Sequence, residues 1–150
     1  MTDQQLVIDA SVLAKIYLKD EEFVPVAEAI ADRYADGSLE LVAPQYILYE
    51  IPSAVDAAVR QQRLDPGSAR QAIRDFFKLN LRTVGDADTL PTLIQAAHLR
   101  ARQLGCRMYD ALYVVVAEVL KLPFVTADRK LYATIKDDVG RAVWIGDYEL

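Results

Sequence analysis

Four acidic side chains in this 150-residue chain lie where their neighbours are apolar. Asp9 ends the run Leu6-Val7-Ile8, and Glu50 sits between Leu48-Tyr49 and Ile51. Asp110 opens the stretch Ala111-Leu112-Tyr113-Val114-Val115-Val116, and Asp128 follows Phe124-Val125-Thr126-Ala127. An ionised carboxylate is costly to bury unless it is paired or bound to a cation. Several carboxylates together repel one another and gain most from a divalent ion. Mg2+ and Mn2+ take oxygen ligands and keep part of their water shell, so a few carboxylates suffice. Such a site activates water and stabilises charge on a phosphoryl group. Each acid also has a structural reading: Asp128 as the cap of a helix from Arg129 to Ile135, Asp110 as a charge favoured at a helix N-terminus, Asp9 as the cap of the first helix, and Glu50 as the partner of a nearby arginine.

The elements that must position these groups follow from the hydrophobic pattern. Leu6-Val7-Ile8 reads as a buried parallel strand. Ser11 is the expected N-cap of a helix through Val12, Leu13, Ile16 and Tyr17. A helix through Val26, Ala29, Ile30 and Tyr34 ends near Gly37, and Leu39 to Val42 forms a second strand. Pro44 opens a helical pattern through Ile47, Leu48, Ile51, Val55 and Val59, with Pro52 inside it predicting a kink or break beside Glu50. Pro66-Gly67 reads as a turn before a helix through Ala69, Ile73, Phe76 and Phe77. Leu79 to Val84 is a third strand, and a helix beginning at Asp88 or Thr89 with Pro91 runs to Leu104 and closes at Gly105. Met108 to Leu120 is the most apolar helix. Pro123 to Val125 is a strand, a short helix carries Leu131 and Ile135, and Ala142 to Ile145 is the last strand. This alternation predicts an α/β fold with a parallel sheet. Ligand sites in such sheets gather beyond the carboxyl ends of the strands, where Asp9 and Asp128 fall.

Composition removes several classes. Hydrophobic residues are 53% of the chain, enough for a full core. Cys106 alone forms no intrachain disulfide, and His98 alone excludes a two-histidine metal site and weakens Ser-His-Asp schemes. Met1 to Gln5 lacks the pattern of a secretory signal, and no apolar run is long enough to span a bilayer, so a cytoplasmic soluble protein is expected. The formal net charge of -5 excludes a simple basic coat for nucleic acid. From Arg60 to Arg107, however, nine basic residues face four acids, which allows a local basic band. Arg102 and Arg107, close to Asp110 in sequence, are its best RNA-binding candidates. Glu118 reads as an exposed or ion-paired residue, His98 as a surface residue, and Tyr46, Tyr49, Tyr109 and Tyr113 chiefly as packing groups.

In order and spacing the chain resembles a PIN domain, most closely the VapC-type ribonuclease toxins of toxin–antitoxin pairs. The pieces that carry the resemblance are Val7-Ile8-Asp9-Ala10-Ser11, Glu50 after Ala43-Pro44, Tyr109-Asp110-Ala111-Leu112-Tyr113, and Val125-Thr126-Ala127-Asp128-Arg129-Lys130-Leu131. The resemblance implies one PIN domain over residues 1–150, with a Rossmann-like parallel sheet of order 3-2-1-4-5 flanked by helices on both faces. It implies metal-dependent cleavage of RNA, with Asp9, Glu50, Asp110 and Asp128 on the family's acidic positions. Ser11 falls on the polar position that lines the site and Thr126 on the Ser/Thr of the final motif. It further implies a homodimer and an antitoxin protein that blocks the site, often with an arginine. Pro52 departs from the pattern, since relatives usually carry a small helix-tolerant residue there.

The reading expected from these residues is hydrolysis of an RNA phosphodiester with Mg2+ or Mn2+. Asp9, Asp110 and Asp128 would hold one ion, Glu50 would hold a second or orient the attacking water, and Ser11 and Thr126 would position water or the scissile phosphate. The alternatives are a PIN nuclease of RNA processing or quality control, and a non-catalytic PIN interaction module. A receiver-like phosphoacceptor is disfavoured because only Asp9, rather than an acidic pair, follows the first strand. A glycosidase is disfavoured because a bare sheet of this size has no obvious sugar cleft.

Overall fold

The structure, a computed structural model, describes residues 4–150; the signal-pattern expectation for Met1 to Gln5 falls mostly outside the described residues. Five strands form one parallel sheet: β1 (Gln5–Ile8), β2 (Glu40–Pro44), β3 (Arg82–Val84), β4 (Phe124–Thr126) and β5 (Ala142–Trp144). Their order is β3-β2-β1-β4-β5, as the resemblance implied. Among the described residues seven α-helices flank it: α1 (Ala10–Leu13), α2 (Val24–Ala35), α3 (Ile47–Arg60), α4 (Pro66–Lys78), α5 (Leu90–Leu104), α6 (Met108–Leu120) and α7 (Arg129–Ile135).

The central strands explain the continuous apolar runs. Leu6, Val7 and Ile8 are almost fully buried, as are Leu41, Val42, Phe124 and Val125, because helices cover the sheet. The chain winds outward from β1 to β3 and then returns to the other side of β1 for β4 and β5. That reversal opens a crevice at the carboxyl ends of β1 and β4, the usual ligand position in this architecture. Ile8 is in register with Val125, and the Asp9 amide donates to the Val125 carbonyl at 3.0 Å. Asp9 and the Thr126-Ala127-Asp128 segment therefore leave the sheet side by side.

Helix α6 lies against β1, β2 and β4, and its residues Ala111 to Ala117 are all buried. An all-round apolar helix has nowhere else to go. Its N-terminus carries Asp110 to the crevice rim, where the helix dipole favours the negative charge. Helix α3 buries Ile47, Ile51, Val55 and Ala58 on one stripe, which leaves Glu50 at the stripe's edge.

Four local expectations are corrected. Ser11 does not cap the first helix, because the helix already begins at Ala10, and Asp9 occupies the cap position without a side-chain cap bond. Pro44 ends β2 rather than opening a helix, and α3 starts at Ile47. Pro52 does not break α3, which runs unbroken from Ile47 to Arg60; it removes only one N–H from a helix whose apolar stripe is fully packed. Pro66 and Gly67 form the first turn of α4 instead of a separate turn. Asp65 caps that helix through the Ser68 amide at 2.9 Å, and proline suits the first helical position because its missing donor would have had no partner.

Candidate active site

Asp9 is 5% exposed and sits at the bottom of the crevice. Two hydroxyls hold it: Ser11 Oγ donates to Asp9 Oδ2 at 2.7 Å and Thr126 Oγ1 donates to the same oxygen at 2.6 Å. Each hydroxyl in turn accepts a backbone N–H, Ser11 from Ala127 at 2.9 Å and Thr126 from Asp128 at 3.1 Å. Chains of this kind polarise each bond and fix the carboxylate. They also place both hydroxyl protons on one oxygen, so Oδ1 keeps its lone pairs for another ligand. Thr126 is fully buried, so its hydroxyl acts on the crevice through Asp9 and the Asp128 backbone.

Asp9, Glu50, Asp110 and Asp128 all line one open cavity of about 320 Å3, together with Ser11, Lys15 and Arg107. Three of the acids have internal partners besides Asp9's hydroxyls. Tyr113 donates its phenol proton to Glu50 Oε1 at 2.6 Å. Arg107 Nε donates to Asp110 Oδ2 at 3.1 Å. Asp128 Oδ1 accepts the Leu131 amide at 2.9 Å and so caps α7. The cap reading of Asp128 thus coexists with its place in the cavity, because only one of its oxygens is used. Glu50 has Tyr113 as its hydrogen-bond partner instead of an arginine.

Burial dominates the electrostatics. It pushes Asp9 up to about 6, against the lowering effect of Thr126 and Ser11, with Asp110 and Asp128 adding repulsion. Burial also pushes Glu50 up to about 7, opposed by Tyr113 and reinforced by Asp9 and Asp110. These carboxylates sense one another across the cavity, which is the arrangement a cation relieves. Among the described residues, no three carboxylate, histidine or cysteine side chains stand in a set that closes on one ion as placed. Each is turned toward its own protein partner. The donors nonetheless fit Mg2+ or Mn2+: all are oxygens, all border one cavity, and the like charges lack full neutralisation.

Tyr113 gives the first test. Tyr113→Phe removes the donor that favours ionised Glu50, so the Glu50 carboxyl should rise above about 7. If Glu50 acts ionised, activity falls about three- to tenfold near neutrality and recovers as the pH is raised. A pH–rate profile with an unmoved acidic limb would detach Tyr113 from the chemistry.

The structure also sorts the basic residues. Of the nine between Arg60 and Arg107, only Arg107 lines the cavity. Arg60, Arg63, Lys78, Arg82 and Arg100 are ion-paired to Asp56, Asp20, Asp75, Glu40 and Glu118. The basic band therefore does not gather at the crevice, because most of its members neutralise acids elsewhere. Arg102 lies exposed near the end of α5 and lines neither the carboxylate cavity nor the one beside it. Glu118 is ion-paired, as expected, to Arg100 at 2.8 Å.

Lys15 was missed by the sequence reading. It lines the cavity, is 6% exposed, and pairs with Glu21 at 3.1 Å. Its signal was the four-residue step from Ser11 to Lys15, which puts both on one side of a helical turn. Asp20, Glu21 and Glu22 partner Arg63, Lys15 and Arg129.

Comparison with known proteins agrees with this geometry. The model of the PIN domain family matches residues 6–136. Ribonuclease VapC3 of Pyrobaculum aerophilum is 28% identical over 130 residues, covering 85% of this chain and 92% of the relative. The crystal structure of PAE2754 from Pyrobaculum aerophilum superposes with a TM-score of 0.64 at 23% identity, covering 95% of this chain and 90% of that one. With the match running from β1 through α7 and including all four crevice acids, this chain belongs to the PIN domain family.

Proposed function

We propose that this chain is a divalent-metal-dependent endoribonuclease, a hydrolase of RNA phosphodiester bonds that serves as the toxin of a toxin–antitoxin pair. The observation that carries the reading is the convergence of Asp9, Glu50, Asp110 and Asp128 on one cavity at the switch point of the sheet. The similarity to a ribonuclease VapC supports RNA as the substrate and an antitoxin as the partner. Asp9, Asp110 and Asp128 would hold a Mg2+ or Mn2+ ion, which would supply water acidification and charge stabilisation at the phosphoryl group. Asp9 presents its free Oδ1 while Ser11 and Thr126 hold Oδ2. Glu50, with its carboxyl near neutrality, is suited to accept a proton from the attacking water. Arg107 brings positive charge beside Asp110 at the cavity.

The reading implies one PIN domain across residues 1–150 and a homodimer, for which the exposed Tyr49 on α3 is a candidate contact. Among the described residues no helix is long and apolar enough to cross a membrane. A cytoplasmic location fits RNA as substrate.

The test is cleavage of a labelled single-stranded RNA with Mg2+, with Mn2+ and with EDTA, alongside Asp110→Asn. Cleavage that needs the ion and drops at least about a hundredfold in Asp110→Asn supports the reading. Equal RNA loss in the variant would identify a contaminant. Expression alone should arrest growth in an Asp9-dependent manner; normal growth would favour an RNA-processing role over a toxin.

A further inference from the structure

Beside the carboxylate cavity lies a second one of about 560 Å3. The two share Arg107, Asp110 and Asp128, so they form one trough. The second cavity adds Lys130, Leu131 and Thr134 from α7 and the loop around Gly105. Its volume lies within the range of sites that hold small molecules, about 300–1,000 Å3.

The charges in this trough are unequal in their commitments. Arg107 is held by Asp110, and Lys15 by Glu21. Arg129 turns away to Glu22 at 3.0 Å and lies over the Trp144 ring at 4.9 Å. Lys130 is exposed, and among the described residues no carboxylate lies within ion-pair distance of it. Thr134 Oγ1 donates to the Lys130 carbonyl at 2.8 Å, which ties down the turn that carries it. A polyanion passing over four carboxylates needs positive charge immediately beside them, and Lys130 supplies it.

We infer that this second cavity is a nucleotide subsite of the RNA track, in which Lys130 binds the phosphate next to the scissile one. Lys130 is a positioning residue: it anchors the strand without touching the reacting atoms. The inference rests on the nuclease reading above and adds a defined subsite to it.

The experiment uses the full chain, a labelled single-stranded RNA and Mn2+. Lys130→Ala should raise KM about five- to tenfold and leave kcat within about twofold, whereas Lys130→Arg should restore KM. Lys136→Ala, one exposed lysine outside the trough, should match the parent. RNA binding is measured separately by anisotropy on Asp9→Asn with and without Lys130→Ala across a KCl series. The slope of log Kd against log salt should fall by about 0.7, one single-strand phosphate contact. Lys130→Gln keeps the aliphatic stem and repeats the test should the alanine disturb α7. Unchanged KM and salt slope in the Lys130 variants, with the parent cleaving RNA, overturns this subsite alone. A loss confined to kcat also overturns it. A parent that neither cleaves nor binds RNA overturns the nuclease reading and the subsite together.

Discussion

Asp9→Asn is expected to lower RNA cleavage about a thousandfold or more and, in the same protein without metal, to raise thermal stability at pH 8. The activity loss follows from removing the negative charge at the bottom of the crevice. The stability gain follows from burial. The folded state holds the Asp9 proton up to about pH 6, whereas the unfolded chain loses it near the ordinary value of 3.8. Between those values the folded state binds more protons, so stability falls as pH rises through the window and the loss is complete above about pH 6. Two pH units correspond to about 3 kcal/mol, an upper figure for the gain in Asp9→Asn at pH 8. Asparagine still accepts from Ser11 and Thr126 through its carbonyl oxygen, so the supporting network survives. The gain should shrink toward zero near pH 4, where Asp9 is neutral. Melting curves at pH 4.5, 6 and 8 check this together with the cleavage rate. A variant less stable than the parent at every pH would show that Asp9 is a structural anchor and not a strained functional charge.

The second large effect is stabilisation by the divalent ion itself. Mn2+ at about 100 times its Kd should stabilise the folded chain by about 2.7 kcal/mol, or about 5–10 °C in Tm for a protein of this size. The shift should be larger at pH 8 than at pH 5.5. Asp9, raised to about 6, must lose its proton before it can bind an ion. EDTA should reverse the shift and Asp9→Asn should remove most of it. An equal Tm rise at both pH values, or one retained in Asp9→Asn, would place the ion elsewhere on the surface. The measurement separates metal binding from catalysis, because it requires no RNA.

These effects share a cause in the way the crevice is assembled. Asp9 and Thr126 meet because β1 and β4 are neighbours in register, and the two hydroxyls then lock one oxygen of Asp9. Glu50 arrives on α3 from the other side of the sheet and is met by Tyr113 from the buried helix α6. The acids are therefore held by the protein before any ion arrives. That costs stability through repulsion and desolvation, and it sets the carboxylates for a cation.

The sequence by itself determined the identity of the four acids, the parallel α/β class and the limits of α6, because these rest on local pattern. An acid inside an apolar run is visible in the run, and strand-helix alternation needs no tertiary contact to be read. Only the tertiary structure decided the rest. Ser11 became a hydroxyl donor to Asp9 because β4 brings Thr126 and Ala127 against it. Pro52 was tolerated because packing of Ile51 and Val55 outweighs one missing helix bond. Of the basic run, Arg63, Arg82 and Arg100 were taken up by acids distant in sequence, while Lys15 reached the trough on the turn after α1 and Lys130 on α7. Charge partners lie far apart along the chain, as with Arg63 and Asp20, so the placement of free charge is a property of the fold.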